Sequence, residues 1–434
     1  MKRVIPRLLV VLCITMPLFA KSGKVEKKER KIPDHYLIML DDALQPDVKK
    51  FSKDLVEKHG VKVLSTWEDA LRGMAIETTE KVAEKIAEDP RVLVIEEDQE
   101  IELASCPIPC LSRQTSSHCA DGKVPWQLDR IDQRALPLNN LYTSCYLGHG
   151  EGVKAYVIDS GVVASHSDFV DDSGGTRVIQ GRNFSSVGGM YDTTDCVSHG
   201  TAVASVLAGD SGGVAKRATI VPVKVKDCAD GGSNQKLIDG INWVTGNHLA
   251  GEPAVANISI LAAGTTSSMM DTAVNNLVND GVFVAVAAGN SNTNACNVSP
   301  SRAVNAFAVG ATTKTDAKAS QSNHGSCVAM WAPGENIGSA QYNSSCCLNC
   351  NPGWGLTSMA SPAAAGVGAL VLQARTSWTP AQVKAAIIAS STPNVVTGLP
   401  SGTQNNRLLF ANDQAWCQMH FALCVGPPPC DPES

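Results

Sequence analysis

The chain has no surplus of basic residues: 36 Lys and Arg stand against 42 Asp and Glu, a net charge of −6 over 434 residues. Without a basic face to neutralise phosphates, nucleic acid is excluded as the main partner. Beyond the N-terminus no apolar run approaches the roughly 20 residues needed to cross a bilayer. Residues 21–105 contain no cysteine, although the chain has 15. That contrast predicts two parts of different character. What is present is a globular composition, 44% hydrophobic and 18% charged, which rules out a disordered or fibrous chain and leaves room for a large core.

Met1-Lys2-Arg3 precede a largely apolar stretch from Leu8 to Phe19, broken by Thr15 and Pro17 and closed by Ala20. A positive start, a short apolar centre and a small exit residue describe a secretory signal peptide over residues 1–20. The expected location is therefore extracellular, with no membrane attachment after the signal is removed. Cys13 leaves with the signal, and the 14 remaining cysteines are an even number, suited to bridges in an exported protein.

Residues 21–34 are rich in Lys and Glu and read as a solvated leader. From His35 the pattern sharpens. Strands are predicted at His35–Leu40, Val61–Leu64, Leu71–Glu77 and Val92–Glu96, with helices at Pro46–His59 and Lys81–Glu88. This order is the small α+β, ferredoxin-like arrangement. After Cys106 the segments are longer and more apolar. Strands are predicted at Lys154–Ile158, Thr219–Val225, Ala254–Ile260, Val282–Ala288, Ala306–Ala311 and Val328–Ala332. Helices are predicted at Thr201–Ala208, Gln235–Asn247, Ser267–Asp280 and Ala360–Arg375. Apolar strands alternating with helices imply an α/β unit, a mostly parallel central sheet with helices on both faces. Ligands and catalytic groups in such sheets gather at the carboxyl ends of the strands.

Four segments place reactive side chains at such ends. Asp159 closes a strand in V-I-D-S-G, His199 opens a helix in S-H-G-T, Asn290 follows a strand in A-A-G-N, and Ser358 lies in T-S-M-A-S-P at the mouth of an Ala-rich helix. Singly, each has an ordinary structural explanation as a turn or capping residue. Together, an Asp, a His and a Ser in that chain order point to nucleophilic acyl transfer. A neutral imidazole takes the serine proton near pH 7 and returns it to the leaving amine. A carboxylate fixes the imidazole's tautomer. A helix N-terminus at Ser358 and the amide of Asn290 are suited to hold a developing oxyanion.

These segments, with V-A-S-H-S-D-F at Val163–Phe169 and V-A-N-I-S at Val255–Ser259, resemble the subtilisin-like serine proteases, nearest their proteinase K branch, over roughly residues 120–412. Residues 35–104 resemble the inhibitory propeptide of the same family. The resemblance implies a secreted serine endopeptidase made as a self-processing zymogen. Its parts are a signal (1–20), a propeptide (21–104), a catalytic domain (105–412) and a Cys- and Pro-containing tail (413–434). Asp159, His199 and Ser358 take the catalytic roles, with Asn290 and the Ser358 N–H as the oxyanion hole. Ser259, Ile260, Leu261 and Ala262 bind substrate on one side, and Ala287, Ala288 and Gly289 on the other. Cleavage falls between Ala104 and Ser105, leaving the propeptide as an intramolecular inhibitor. The partners are peptide or protein substrates, and the molecule is expected to be a monomer. Cys296 and Cys327 lie where one group of relatives forms a disulfide.

The sequence also departs from the family pattern. Leu356 stands where glycine is usual, two residues before Ser358, and so either strains the backbone or lines the cleft. Ile260-Leu261-Ala262 replaces a Leu-Gly-Gly run and narrows the pocket for the residue before the cut. The small residues Ala287, Ala288 and Gly289 suggest that this residue is apolar. Ala329 falls where a common calcium site has its Asp, so structural calcium stays open without an assigned site and no other cofactor is expected. Cys346-Cys347-Leu348-Asn349-Cys350 suits disulfides better than zinc in an oxidising compartment. Two alternatives stay in view. A chain that cuts itself once and then acts as a binding protein, retaining its propeptide, needs the same residues. An esterase is disfavoured because no G-x-S-x-G elbow surrounds Ser358.

Overall fold

The computed structural model describes residues 23–104, 124–142, 149–229, 231–264, 266–341 and 355–411. The signal segment, Ser105, the Cys346–Cys350 cluster and the tail from 413 lie outside the described residues.

The first unit contains β1 (Val25–Glu26), β2 (Lys31–Leu40), α1 (Val48–His59), β3 (Lys62–Trp67), β4 (Gly73–Glu77), α2 (Glu80–Ala87) and β5 (Val92–Gln99). They form a sheet in the order β1-β5-β2-β4-β3, the expected ferredoxin-like arrangement with one added edge strand. Helix α1 shows why the segment folds this way. The Asp47 side chain accepts from Lys50 N at 2.9 Å, Gly60 closes the helix at φ +67°, and Val48, Phe51 and Leu55 face inward at helical spacing. Residues 36–40 form an unbroken apolar run because both faces of β2 are covered. Tyr36, Ile38 and Leu40 pack with α1 and α2 residues, whereas Leu37 and Met39 belong to a cluster shared with the second unit.

The leader is not solvated throughout, contrary to the sequence expectation. Val25 and Glu26 pair with Ile95 and Glu96, and the Lys28 side chain is 5% exposed with Nζ 3.0 Å from Glu96 Oε2. A buried carboxylate requires a partner, and Lys28 supplies it.

The chain continues through β6 (Ile101–Leu103), α3 (Trp126–Asp132), β7 (Lys154–Asp159), β8 (Arg182–Asn183), α4 (His199–Ala208), β9 (Thr219–Lys224), α5 (Asn234–Asn247), β10 (Ala254–Ile258), β11 (Ile260–Ala262) and α6 (Ser268–Asp280). It ends with β12 (Phe283–Ala287), β13 (Phe307–Thr312), β14 (Met330–Pro333), α7 (Thr357–Ala374), α8 (Pro380–Ser390), β15 (Thr392–Pro393) and β16 (Arg407–Leu408). Among the described residues nine strands form one sheet in the order β15-β16-β14-β13-β12-β10-β7-β9-β8. Its neighbours are parallel except β15 and β16. Alternate residues of β7 enter two cores: Ala155 and Val157 pack with α4 and α7 residues, while Tyr156 and Ile158 pack with α5 and α6 residues. Among the described residues no helix is long and apolar enough to cross a membrane.

The predicted strand over 254–260 is in fact two. It breaks at Ser259, and β11 leaves the central sheet to pair antiparallel with β6. The break turns the Ser259 carbonyl toward the first unit's C-terminal tail, where it accepts from Ala104 N at 2.9 Å.

Candidate active site

Asp159 ends β7 and His199 begins α4. His199 Nδ1 lies 2.7 Å from Asp159 Oδ1, and both side chains are fully buried. The close approach requires a glycine: a Cβ on Gly200 would stand 2.1 Å from the Gly161 carbonyl oxygen. Asp195 ties this corner together, a role that sequence reasoning missed. Its carboxylate accepts from Ser160 Oγ (2.9 Å), Val197 N (2.9 Å), Ser198 N (3.0 Å), Thr201 N (2.9 Å) and Thr201 Oγ1 (2.6 Å). Ser160 Oγ in turn accepts from Gly200 N at 2.9 Å. The first turn of α4 is thereby fastened to the end of β7. An acidic residue just ahead of a helix start was the available signal.

Ser358 lies in the first turn of α7. Pro362 sits inside that helix and has no N–H to give the carbonyl four residues earlier. Ser259 Oγ takes its place, donating to the Ser358 carbonyl at 2.9 Å. Asn257 Nδ2 donates to Ser259 Oγ at 2.9 Å, and Ser361 Oγ donates to Asn257 Oδ1 at 2.6 Å. This buried chain of hydrogen bonds locks the start of α7 to the β10–β11 break.

Asn290 follows Gly289, whose φ is +101° and where a Cβ would meet Asn323 Nδ2 at 2.3 Å. Asn290 Oδ1 accepts from Thr357 N (3.1 Å) and Thr357 Oγ1 (2.7 Å). Its Nδ2 is buried without a hydrogen-bond partner. An amide fixed by its oxygen with its donor unspent is suited to charge that appears only during a reaction.

The cleft beside these groups holds the chain's own tail. Leu103, Glu102 and Ile101 pair with Ile260, Leu261 and Ala262, and Glu100 bridges to Ser233 on the other side. At the end of the tail the Ala104 carbonyl oxygen accepts from Ser358 N at 3.0 Å. Ile260 and Ala262 meet the tail through their backbones and turn their side chains into the α5/α6 core. Leu261 and Ala287 share a small buried cluster with Ala104. Ala288 is a correction: it packs with Ala295, Val328 and Trp331, because successive residues of an extended segment face opposite ways. Ser105 lies outside the described residues.

Leu356 both strains the backbone and is buried. Its dihedrals are φ +67°, ψ −147°, a region reserved almost entirely for glycine. Its side chain is 8% exposed within the main core. Cys296 is bonded to Cys327. Cys196 is bonded to Cys228, a pairing that sequence reasoning did not identify.

The first unit seats its acidic strand β5 on the N-termini of α5 and α6. Asp98 Oδ1 accepts from Gln99 N at 2.9 Å and Gln235 N at 3.2 Å, while Oδ2 has no hydrogen-bond partner. Burial outweighs these donors and raises the Asp98 pKa to about 7. Burial likewise raises Asp271 on α6 to about 7 and pushes Glu96 up. Glu96 accepts from Ser267 Oγ, at the start of α6.

The chain also matches known proteins. The Subtilase family model matches residues 150–410, and the Peptidase inhibitor I9 model matches residues 21–104. The chain is 44% identical over 337 residues to the extracellular serine proteinase of Thermus sp. (strain Rt41A), covering 78% of this chain and 75% of that protein. It is 37% identical to alkaline serine exoprotease A of Vibrio alginolyticus, covering 93% and 71%. Among solved structures, a cold adapted subtilisin-like serine proteinase aligns with TM-score 0.59 at 40% identity, covering 67% of this chain and 98% of that one. Fervidolysin from Fervidobacterium pennivorans shares the fold, with TM-score 0.68 at 21% identity, covering 91% and 63%.

Proposed function

The chain belongs to the subtilase family of serine proteinases, and from that premise we propose that it is a secreted endopeptidase made as a self-processing zymogen. Ser358 Oγ attacks the peptide carbonyl while His199 takes its proton, and Asp159 holds the imidazole and stabilises its charged form. The oxyanion is held by the Ser358 N–H and Asn290 Nδ2. His199 returns the proton to the leaving amine, and water then attacks the acyl carbonyl, breaking its bond to Ser358 Oγ and releasing the acid product with the serine regenerated. The first bond cut is Ala104–Ser105 of the same chain. The propeptide remains as a product-like inhibitor until it is displaced, after which the enzyme works as a monomer on peptide and protein substrates.

One observation carries this reading: the Ala104 carbonyl points at the Ser358 N–H, 3.0 Å away, with the tail laid along β11 as an added strand. Export is supported by the signal-like N-terminus and by the extracellular proteinase among its relatives. The test is to treat the secreted protein with a fluorophosphonate, locate the label and follow casein hydrolysis. Labelling at Ser358 with turnover is expected. A tightly held propeptide with neither labelling nor turnover would instead favour the binding-protein alternative.

A further inference from the structure

The pocket that receives the residue before the cut is closed by one side chain. Ala104, Leu261 and Ala287 form a cluster of their own, with Val298 packed against it. All three are nearly inaccessible, at 1%, 4% and 0% exposure. Leu261 comes from β11, where its backbone pairs with Glu102, and Ala287 is the last residue of β12. One wall is thus Leu261 of β11 and the other Ala287 with Gly289. Leu261 reaches toward the other wall: its Cδ1 lies 3.2 Å from where a Cβ on Gly289 would stand. The space that a longer side chain at position 104 would enter is already filled by leucine, and close-packed interiors do not absorb added methylenes cheaply.

We propose that Leu261 is a specificity-determining residue that restricts cleavage to peptide bonds following an alanine-sized residue. This rests on the peptidase reading above and sharpens it from an apolar residue to a small one. The chain's own cut after Ala104 obeys the same rule. A mismatch of one methylene in an apolar pocket is worth about 10- to 200-fold in kcat/KM, so a phenyl ring is rejected by at least about 100-fold.

The test uses the mature protein produced from the full chain and four p-nitroanilides carrying the tail sequence Ile-Glu-Leu-X, with X being Ala, Val, Leu or Phe. In the wild type kcat/KM is expected to fall at least about 100-fold from Ala to Phe. In Leu261→Gly the Phe-to-Ala ratio is expected to rise by at least about tenfold, with a smaller rise in Leu261→Ala. Should the glycine variant fail to fold, the wild-type series and the alanine variant still decide. Turnover with a flat wild-type series, or ratios unmoved by both substitutions, would overturn the pocket assignment alone. No turnover of any of the four, together with no fluorophosphonate labelling, would overturn the peptidase reading and this assignment with it.

Discussion

Asn290 allows the transition-state role of a side chain to be separated from its structural role. Its Oδ1 accepts two hydrogen bonds from Thr357, whereas its Nδ2 is buried and has no partner. Asn290→Asp keeps the shape and the Thr357 contacts and replaces the donor with a charged acceptor. The new charge sits at the N-terminus of α7, where a negative group is favourable by about 0.3–1 kcal/mol, which offsets only part of the cost of placing its second oxygen at a buried position without a partner. In the reaction the same charge faces the oxyanion. Losing one side-chain oxyanion donor costs about 10²–10³ in kcat in subtilisin, or about 2.7–4 kcal/mol, and the added repulsion makes this a lower bound here. Asn290→Ala also loses both Thr357 bonds, about 0.5–1.5 kcal/mol each, so it should lower stability as well as kcat. The assay is the rate of cutting at Ala104–Ser105 in the freshly folded full chain, followed by kcat and KM of whatever matures. The Asp variant should keep the wild-type fold with a somewhat lower melting point, process at least about 100-fold more slowly and show little change in KM. An Asp variant that processes within tenfold of the wild type would refute the assignment of Nδ2.

Leu356→Gly should be more stable than Leu356→Ala, reversing the usual order. Both lose the buried leucine, but only glycine relieves a strain of about 1–3 kcal/mol; equal denaturant midpoints would argue against that strain. The bound propeptide should loosen as pH rises. Burial places Asp98 near pKa 7 in the complex, and on release it returns to the ordinary Asp range near 4. A group whose pKa is raised on binding favours the complex below its free value, and that contribution is lost as pH rises through its bound value. Affinity should therefore fall between about pH 4 and 7, by up to about tenfold per pH unit, and level off above. Gel filtration of the processed protein across this range measures the release, and Asp98→Asn should flatten the dependence. Opening the Cys196–Cys228 bridge by a double Ser substitution frees a 32-residue loop and should cost about 3–4 kcal/mol, visible as a lower thermal midpoint; an unchanged midpoint would contradict this.

The parts of the fold that were legible in the sequence are those fixed by local chemistry. Helix α1 carries its cap, its apolar spacing and its closing glycine within 14 residues, Asp47 to Gly60. The strands β7 and β12 read as apolar runs because both faces are covered. What was not legible depends on partners far along the chain. Residues 254–260 are uniformly strand-like, and only the tail and α7 dictate the break at Ser259. The leader looked solvated because Lys28 is paired with a carboxylate 68 positions away. Helix α8 was legible but overlooked: its Thr379 and Gln382 form a capping box around Pro380. In the site, the motif residues were recognisable by type. The hydrogen-bond network of Asp195 and the turn of Ala288 away from the pocket required the packed structure.

All of these expectations rest on Ser358 being the group that opens the chain. The most direct measurement is the intact mass and N-terminal residue of the secreted wild type beside Ser358→Ala. The wild type should begin at Ser105, with residues 21–104 present as a separate fragment, and the alanine variant should remain one continuous chain from the signal cut onward. An alanine variant severed at the same bond at the same rate would contradict the assignment.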